Sequence, residues 1–561
     1  MAFVDEYPAE ARVARWCLAA AFTALGIGGL FGLIQALHRT GVYRGVVSST
    51  QYYTLLTTHG VLLALVFTIF FLCGLFTWGV TRSLDRPLPS RRFSLLWFAL
   101  MVVGAVVTAV TVLGGLVGQM PFQADVLYTF YPPLHAHPLF YVGLAVFIVG
   151  TWLAGADWFW SFRRWRADHP DERIPLQTFM VLTTMLMWYL SSAGVAVEVV
   201  FFLIPWSLGL FPQVDALLTR TLFWYFGHPV VYFWLLPAYF VWYTILPKLS
   251  GGRLFSDPLA RVVFVLFLLL STPVGFHHQY LDPGIPEGFK FVAMTNTMFL
   301  LLPSLLTAFT VVASMEHGAR QRGGEGRVAW LKSLPWDDPA FAGAALAGLM
   351  FAAGGFSGMI NAGMNVNYLV HNTLWVPGHF HLTVGTAAAL TFMAITYWLL
   401  PQLTGKRLKD YTVALVQPYL WFVGMTFMSN AMHRAGLAGI PRRTAEPMFN
   451  NVDVSFHGVV GGVGEMHAQI AIGATLLFVS MCLFLWVVAR TWLSGRARAP
   501  LRVSGTVPEP LSGPEGAPRV LDRIWLWALV AVLLVAIAYG PPLFDMAADG
   551  LLAPGSPPIT P

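Results

Sequence analysis

Apolar positions in this chain neither alternate with polar ones nor recur on a single helical face; they run together in long stretches separated by short polar connections. A bilayer core of about 30 Å takes roughly 20 helical residues to cross. Thirteen stretches reach that length, approximately over 13–37, 52–80, 93–119, 137–161, 177–205, 220–246, 258–280, 289–315, 338–361, 374–400, 411–433, 467–491 and 522–545. Backbone groups in hydrocarbon must bond within their own segment, so these runs predict helices, and the lack of alternation excludes a β-barrel. The first run is too long for a signal-peptide core and has no small-residue cleavage site, so it is expected to remain as the first helix.

The fold class is therefore an all-α integral membrane protein of about thirteen transmembrane helices. Residues 1–493 are expected to form a twelve-helix body. Residues 494–521, rich in Pro, Gly and Arg, read as a cytoplasmic linker, and 522–561 as a thirteenth helix with an outer tail that frays over 551–561. The outer segment 434–466 reads as partly ordered at best.

Composition agrees: 57% of residues are hydrophobic and 11% charged, outside the usage of soluble domains. A net charge of +6 could suggest a nucleic-acid partner, but the basic residues are spread through alternate loops. Only Arg39, Arg44, Arg220, Lys290, Arg434, Arg442 and Arg443 of the 33 Lys and Arg fall on one side of the predicted topology. That bias puts the N-terminus in the cytoplasm and the C-terminus outside. Cys17, Cys73 and Cys482 sit singly in apolar runs and are expected to be buried thiols, so any thiolate metal centre belongs to a partner.

Histidine is where the chemistry gathers. The stretch "WVPGHFHL", 375–382, opens the tenth run with His379 and His381. Successive helical residues lie about 100° apart, so positions i and i+2 face nearly opposite sides and serve two different centres. His228 lies in "FGHPVVYFW", with Tyr232 on the same face at i+4. His277 and His278 close the seventh run, and His59 lies near the start of the second. By the predicted topology all six histidines fall in one layer, roughly 10 Å inside the outer surface. Polar groups at such depth are costly and mark function. Imidazole suits Fe, Cu and Zn. A six-coordinate iron between His59 and His381, a five-coordinate iron on His379 and a copper on His228, His277 and His278 would account for all six.

The set "HPVVY" at 228–232, "HH" at 277–278, "WVPGHFHL" and "RR" at 442–443 resembles subunit I of the haem–copper oxygen reductases over nearly the whole chain. "VLYTFYPPL" at 126–134, "HNTLWVPGHFHL" at 371–382 and the thirteen runs look most like the B family, the ba-type cytochrome c oxidases. The resemblance implies the haem–copper oxidase subunit I fold, His59 and His381 as axial ligands of a low-spin haem (b-type), His379 as that of a high-spin haem (a-type), and copper B on His228, His277 and His278. Tyr232 would be joined covalently to His228 and would give an electron and a proton to O2. Arg442, Arg443, His371, Asn367 and Tyr131 would lie around the haem propionates, where a guanidinium fork suits a carboxylate. Tyr239, Tyr243, Ser304, Thr307 and Thr310 would line the single proton path of that family. Asn367 stands where the family usually has aspartate; an amide can keep the hydrogen bond to the propionate region but lacks the titratable carboxyl that a proton-loading role with His371 would need.

The implied activity is that of a proton-translocating terminal oxidase in a bacterial or archaeal cytoplasmic membrane, reducing O2 to water. Its implied partners are a subunit II with a copper A centre, a small single-helix subunit, and cytochrome c as donor. Glu198 is the clearest acid inside a membrane run and a candidate for proton exit. Two rivals remain at this point: a nitric oxide reductase of the same superfamily, against which Tyr232 speaks, and a secondary transporter, for which the internal repeat is missing.

Overall fold

The computed structural model describes residues 2–43, 45–117, 122–445, 462–495, 507–548 and the backbone of 558–559. Its long helices follow the apolar runs: α1 Pro8–Arg39, α2 Ser49–Leu84, α3 Arg91–Val117, α4 Pro138–Asp168, α5 Leu176–Ser207, α6 Ala216–Leu249, α7 Asp257–Ser271, α8 Glu287–Gln321, α9 Pro339–Ala362, α10 Trp375–Thr404, α11 Tyr411–Leu437, α12 Val463–Leu493 and α13 Ile524–Ala548. Among the described residues, eleven are long and apolar enough to span a membrane by themselves. The other two are α7, at 15 residues, and α11, whose Gln417, Ser429, Asn430 and His433 dilute its hydropathy. The protein is a multi-pass membrane protein.

Three helices contain π-turns. Six-residue π-turns interrupt α2 at Leu62–Phe67, α5 at Glu198–Leu203 and α10 at Thr383–Ala388. Such wide turns recur at functional sites because they re-aim the residues beside them. His59 precedes the first by three residues, His381 precedes the third by two, and Glu198 begins the second. Helix α6 is broken at His228, because Pro229 has no N–H to offer the preceding turn. Of all the spans, α2, α6 and α10 are the most buried, so the helices that carry His59, His228, His379 and His381 form the centre of the bundle.

Four findings differ from the sequence reading. Helix α7 stops at Ser271, ahead of Pro273, so His277 and His278 sit on a separate 3-10 turn, Gly275–Gln279. Cys17 and Cys73 are buried, but Cys482 is exposed on α12, because its helical face looks outward to where lipid would lie. Residues 507–521 of the predicted linker dock on the bundle: the Leu511 and Ser512 amides donate to the Leu254 and Phe255 carbonyls, at 2.8 and 3.1 Å. Within the tail, Pro558–Ile559 pairs antiparallel with Val214–Asp215, while the rest of 549–561 lies outside the described residues. Most of 434–466 is divided the same way, with 446–461 outside them.

The docked segment ends in a buried ion cluster. Arg261, 1% exposed, meets Asp257 at 2.5 Å and Asp522 at 2.7 Å, and Asp522 also meets Arg173 at 2.5 Å. Removing one partner of a buried pair leaves a charge uncompensated, at about 3 kcal/mol. Asp522→Ala should therefore lower the thermal midpoint in detergent, followed by circular dichroism, whereas an unchanged midpoint would mean that the cluster contributes nothing.

Candidate functional site

The first turns of α10 hold His379 and His381 on opposite sides, as their spacing requires. His379 Nδ1 lies 2.9 Å from the Gly354 carbonyl and 3.1 Å from Ser357 Oγ, both on α9. His381 Nδ1 lies 2.7 Å from the Pro377 carbonyl, and across from it His59 Nδ1 lies 2.8 Å from the Gly28 carbonyl of α1. A carbonyl can only accept, so each Nδ1 carries the proton and each neutral ring keeps its Nε2 lone pair free for a metal. The rings of His59 and His381 are 6.3 Å apart between centroids and within 17° of parallel. That gap admits one metal ion with imidazole bonds of about 2 Å on either side. Glycine keeps two of the rings in place: a Cβ on Gly32 would lie 2.6 Å from His59 Cε1, and one on Gly358 2.7 Å from His379 Cε1.

Three further histidines converge where α6 breaks and the 3-10 turn begins. Ligand atoms of His228, His277 and His278 all lie within 4.8 Å of one another. His228 Nδ1 and His278 Nε2 are 3.2 Å apart, about the separation of two nitrogens bound to one metal at about 2 Å each. Thr297 Oγ1 donates to the Ala293 carbonyl, so it accepts from His277 Nδ1 at 3.0 Å and leaves that ring's Nε2 free as well. His278 is stacked flat on Trp224, 4.0 Å between centroids. His228 Nε2 is buried with no hydrogen-bond partner, beside Tyr232, whose ring is 5.0 Å away.

At the rim of the cavity, the two arginines close the site. Residues Thr373 and Pro441 pair as an antiparallel bridge, and the Arg442 amide donates to the Asn372 carbonyl at 2.9 Å, which turns both guanidinium groups inward. Arg39 staples the same strand by donating to Thr444 O at 2.7 Å and Oγ1 at 3.0 Å. Arg442 donates to Asn372 Oδ1 at 3.1 Å and Tyr128 Oη at 3.3 Å, and Arg443 lies over the Tyr128 ring. Burial, then Arg443, pushes the Arg442 guanidinium down to about 10, so it stays charged at neutral pH. Among the described residues neither guanidinium meets a carboxylate. Two inward-facing cations of that kind call for an anionic ligand.

A continuous cavity of about 510 Å³ touches all six histidines, Tyr232, Arg442 and Arg443. Its paired and single imidazoles, the three-nitrogen cluster and the unmatched guanidinium pair fit two propionate-bearing haems on either side of α10 and one copper ion beside one of them.

Comparison with known proteins gives the family of the chain. Residues 12–476 match the family model for cytochrome C and quinol oxidase polypeptide I. The chain is 44% identical over 555 residues to cytochrome c oxidase subunit 1 of Thermus thermophilus, covering 97% of this chain and 96% of that one. The chain belongs to this family. An alternative cytochrome c oxidase subunit 1 of Bradyrhizobium diazoefficiens is 26% identical over 75% of this chain and 70% of its own. A heme-copper terminal oxidase dimer solved by cryo-electron microscopy superposes with a TM-score of 0.88 at 34% identity, covering 98% of this chain and 95% of that one. The haem–copper oxidase subunit I fold follows, and with it the role of catalytic subunit of a terminal oxidase that carries haems and copper B. Neither nitric oxide reduction nor transport is favoured.

Around this oxidase core the remaining expected residues are spread as follows. Asn367 Oδ1 lies 3.0 Å from His371 Nδ1, and its amide nitrogen donates to the Asn361 carbonyl at 2.6 Å. Tyr131 lies under the Arg220 guanidinium at 4.7 Å, and Arg220 forms a two-point pair with Asp282 at 2.8 and 3.0 Å. Tyr243 Oη meets Thr307 Oγ1 at 2.7 Å and Tyr239 Oη donates to Ser304 Oγ at 3.5 Å. Ser304, Thr307 and Thr310 each also donate to the carbonyl four residues before. Glu198 is buried, with no hydrogen-bond partner for either oxygen among the described residues. Sequence reasoning missed Tyr128, Asn372, Trp224 and Arg220 as parts of the site; Tyr128 and Asn372 had a signal, lying in "VLYTFYPPL" and "HNTLWVPGHFHL".

Asn372 offers a test of the rim, since it holds Arg442 from a left-handed backbone, φ 56°. Asn372→Gly loses only the hydrogen bond, worth about 1.5–3 kcal/mol to a charged group. Asn372→Ala adds backbone strain of about 1 kcal/mol. Both variants should unfold at lower denaturant than the parent, Ala lowest; equal midpoints for Ala and Gly would remove the strain from the account.

Proposed function

We propose that His59 and His381 hold a low-spin haem b, His379 a high-spin a-type haem, and His228, His277 and His278 copper B. The observation that carries this assignment is the pinning of Nδ1 on His59, His379 and His381 to backbone carbonyls, which leaves each Nε2 to a metal. When bound, the haem irons and copper supply one-electron transfer and the open positions at which O2 is reduced to water. Because α10 bears ligands on both faces, it keeps the two haem positions in fixed relation. Tyr232, beside the unpartnered His228 Nε2, supports the family's covalent His–Tyr pair and holds a hydrogen at its phenol oxygen for the reaction. Arg442 and Arg443 hold propionates by charge.

Protons would reach Tyr232 from the cytoplasmic side along Thr310, Thr307 with Tyr243, and Ser304 with Tyr239. The rings of Tyr232 and Tyr239 both rest on Phe267, at 5.3 and 5.2 Å, and the step between their hydroxyls would be carried by water. Electrons would come from cytochrome c through a subunit II carrying copper A, with a small single-helix subunit completing the complex. The lopsided Lys and Arg distribution supports a bacterial or archaeal cytoplasmic membrane with the N-terminus inside and the C-terminus outside.

Element analysis of purified variants tests the copper assignment: His278→Ala should lose copper and O2 turnover and keep both haems, and retention of copper would overturn it. For the path, Thr307→Val keeps the volume and removes the hydroxyl on Tyr243. Turnover should fall at least 10-fold with unchanged metal content, and a wild-type rate would exclude this route.

A further inference from the structure

The thirteenth helix, which the sequence presents as an addition to a twelve-helix body, reaches the turn that carries two of the proposed copper ligands. Tyr539 on α13 is buried, and its hydroxyl accepts the Gly275 amide at 2.8 Å, at the first residue of the 3-10 turn Gly275–Gln279. Phe276, the next residue, stacks on the Tyr539 ring at 4.7 Å. Tyr225 of α6 meets the other edge of that ring at 4.8 Å. The fit is close: a Cβ on Gly275 would lie 2.3 Å from the Tyr539 oxygen and 2.2 Å from the Trp224 carbonyl. Trp224 is itself the residue stacked on His278. A turn of five residues has few backbone bonds of its own, so an outside acceptor at its first amide and an aromatic clamp at its second residue set where the third and fourth point.

We propose that Tyr539 is a positioning residue for copper B: by holding Gly275 and Phe276 it fixes the direction of His277 and His278. The proposal rests on those two histidines being copper ligands. Removing the hydroxyl leaves the Gly275 amide buried without an acceptor, and the turn must shift or fluctuate to satisfy it.

Tyr539→Phe keeps the ring contacts and deletes only that acceptor, with Tyr225→Phe as a control that touches the same ring but not the turn. The assembled oxidase would be followed for copper per haem during dialysis against a copper chelator, and for the infrared stretch of carbon monoxide transferred to copper by photolysis. Tyr539→Phe should lose copper several-fold faster than wild type and broaden or shift the carbon monoxide band, with both haems retained and the control unchanged. Wild-type retention and an unshifted band would overturn the proposal. Failure of the ligand assignment looks different: His278→Ala would then keep its copper. Should Tyr539→Phe not assemble, deuterium exchange in wild type decides, because a Gly275 amide exchanging as fast as the loop 281–286 would refute the hydrogen bond.

Discussion

An imidazole in a membrane interior must find partners for both ring nitrogens, and the whole centre of this oxidase follows from how that demand is met. In His59 and His379 one nitrogen is satisfied by a carbonyl of a neighbouring helix, and in His381 by the Pro377 carbonyl of its own helix, which removes the choice of tautomer and leaves one lone pair aimed at open space. His277 reaches the same state through the Thr297 hydroxyl. Helices α1, α8 and α9 are thus tied by hydrogen bonds to the histidines of the site. The exposure that these rings show is to an internal cavity and not to lipid.

The charges obey the same economy of partners. Arg442 and Arg443 are inward-facing and without carboxylates among the described residues, whereas Arg220 and Arg261 are matched by Asp282, Asp257 and Asp522. The protein pairs the cations that serve its architecture and leaves open those at the rim of the cavity. The difference separates a structural arginine from a ligand-binding one better than burial does.

Much of this was legible in the chain. Long apolar runs gave the thirteen long helices, with ends that miss by up to nine residues at α7, and the i, i+2 spacing of His379 and His381 implied two centres on one helix. Family resemblance added which histidines go together. What stayed hidden were features that depend on tertiary register. Nothing in "LLALVF", "EVVFFL" or "TVGTAA" announces a π-turn, since a wide turn is chosen by packing and not by local preference. The end of α7 was legible in Pro273 and was overridden by the continuing apolar run. Arg39, Asn372 and Tyr539 act across gaps of hundreds of residues or through backbone groups, and periodicity carries no signal of either kind.

The central claim is that one helix presents its two histidines to two different haems, one with both axial positions filled by protein and one with a single position filled. A dithionite-reduced minus oxidised visible spectrum of the purified oxidase, repeated under carbon monoxide, tests it most directly. The account predicts two haem signals, of which the gas shifts only one, and in a His381→Ala variant the unshifted signal should be lost or become gas-sensitive. A single haem signal, or two signals that both respond to the gas in the unaltered protein, would contradict it.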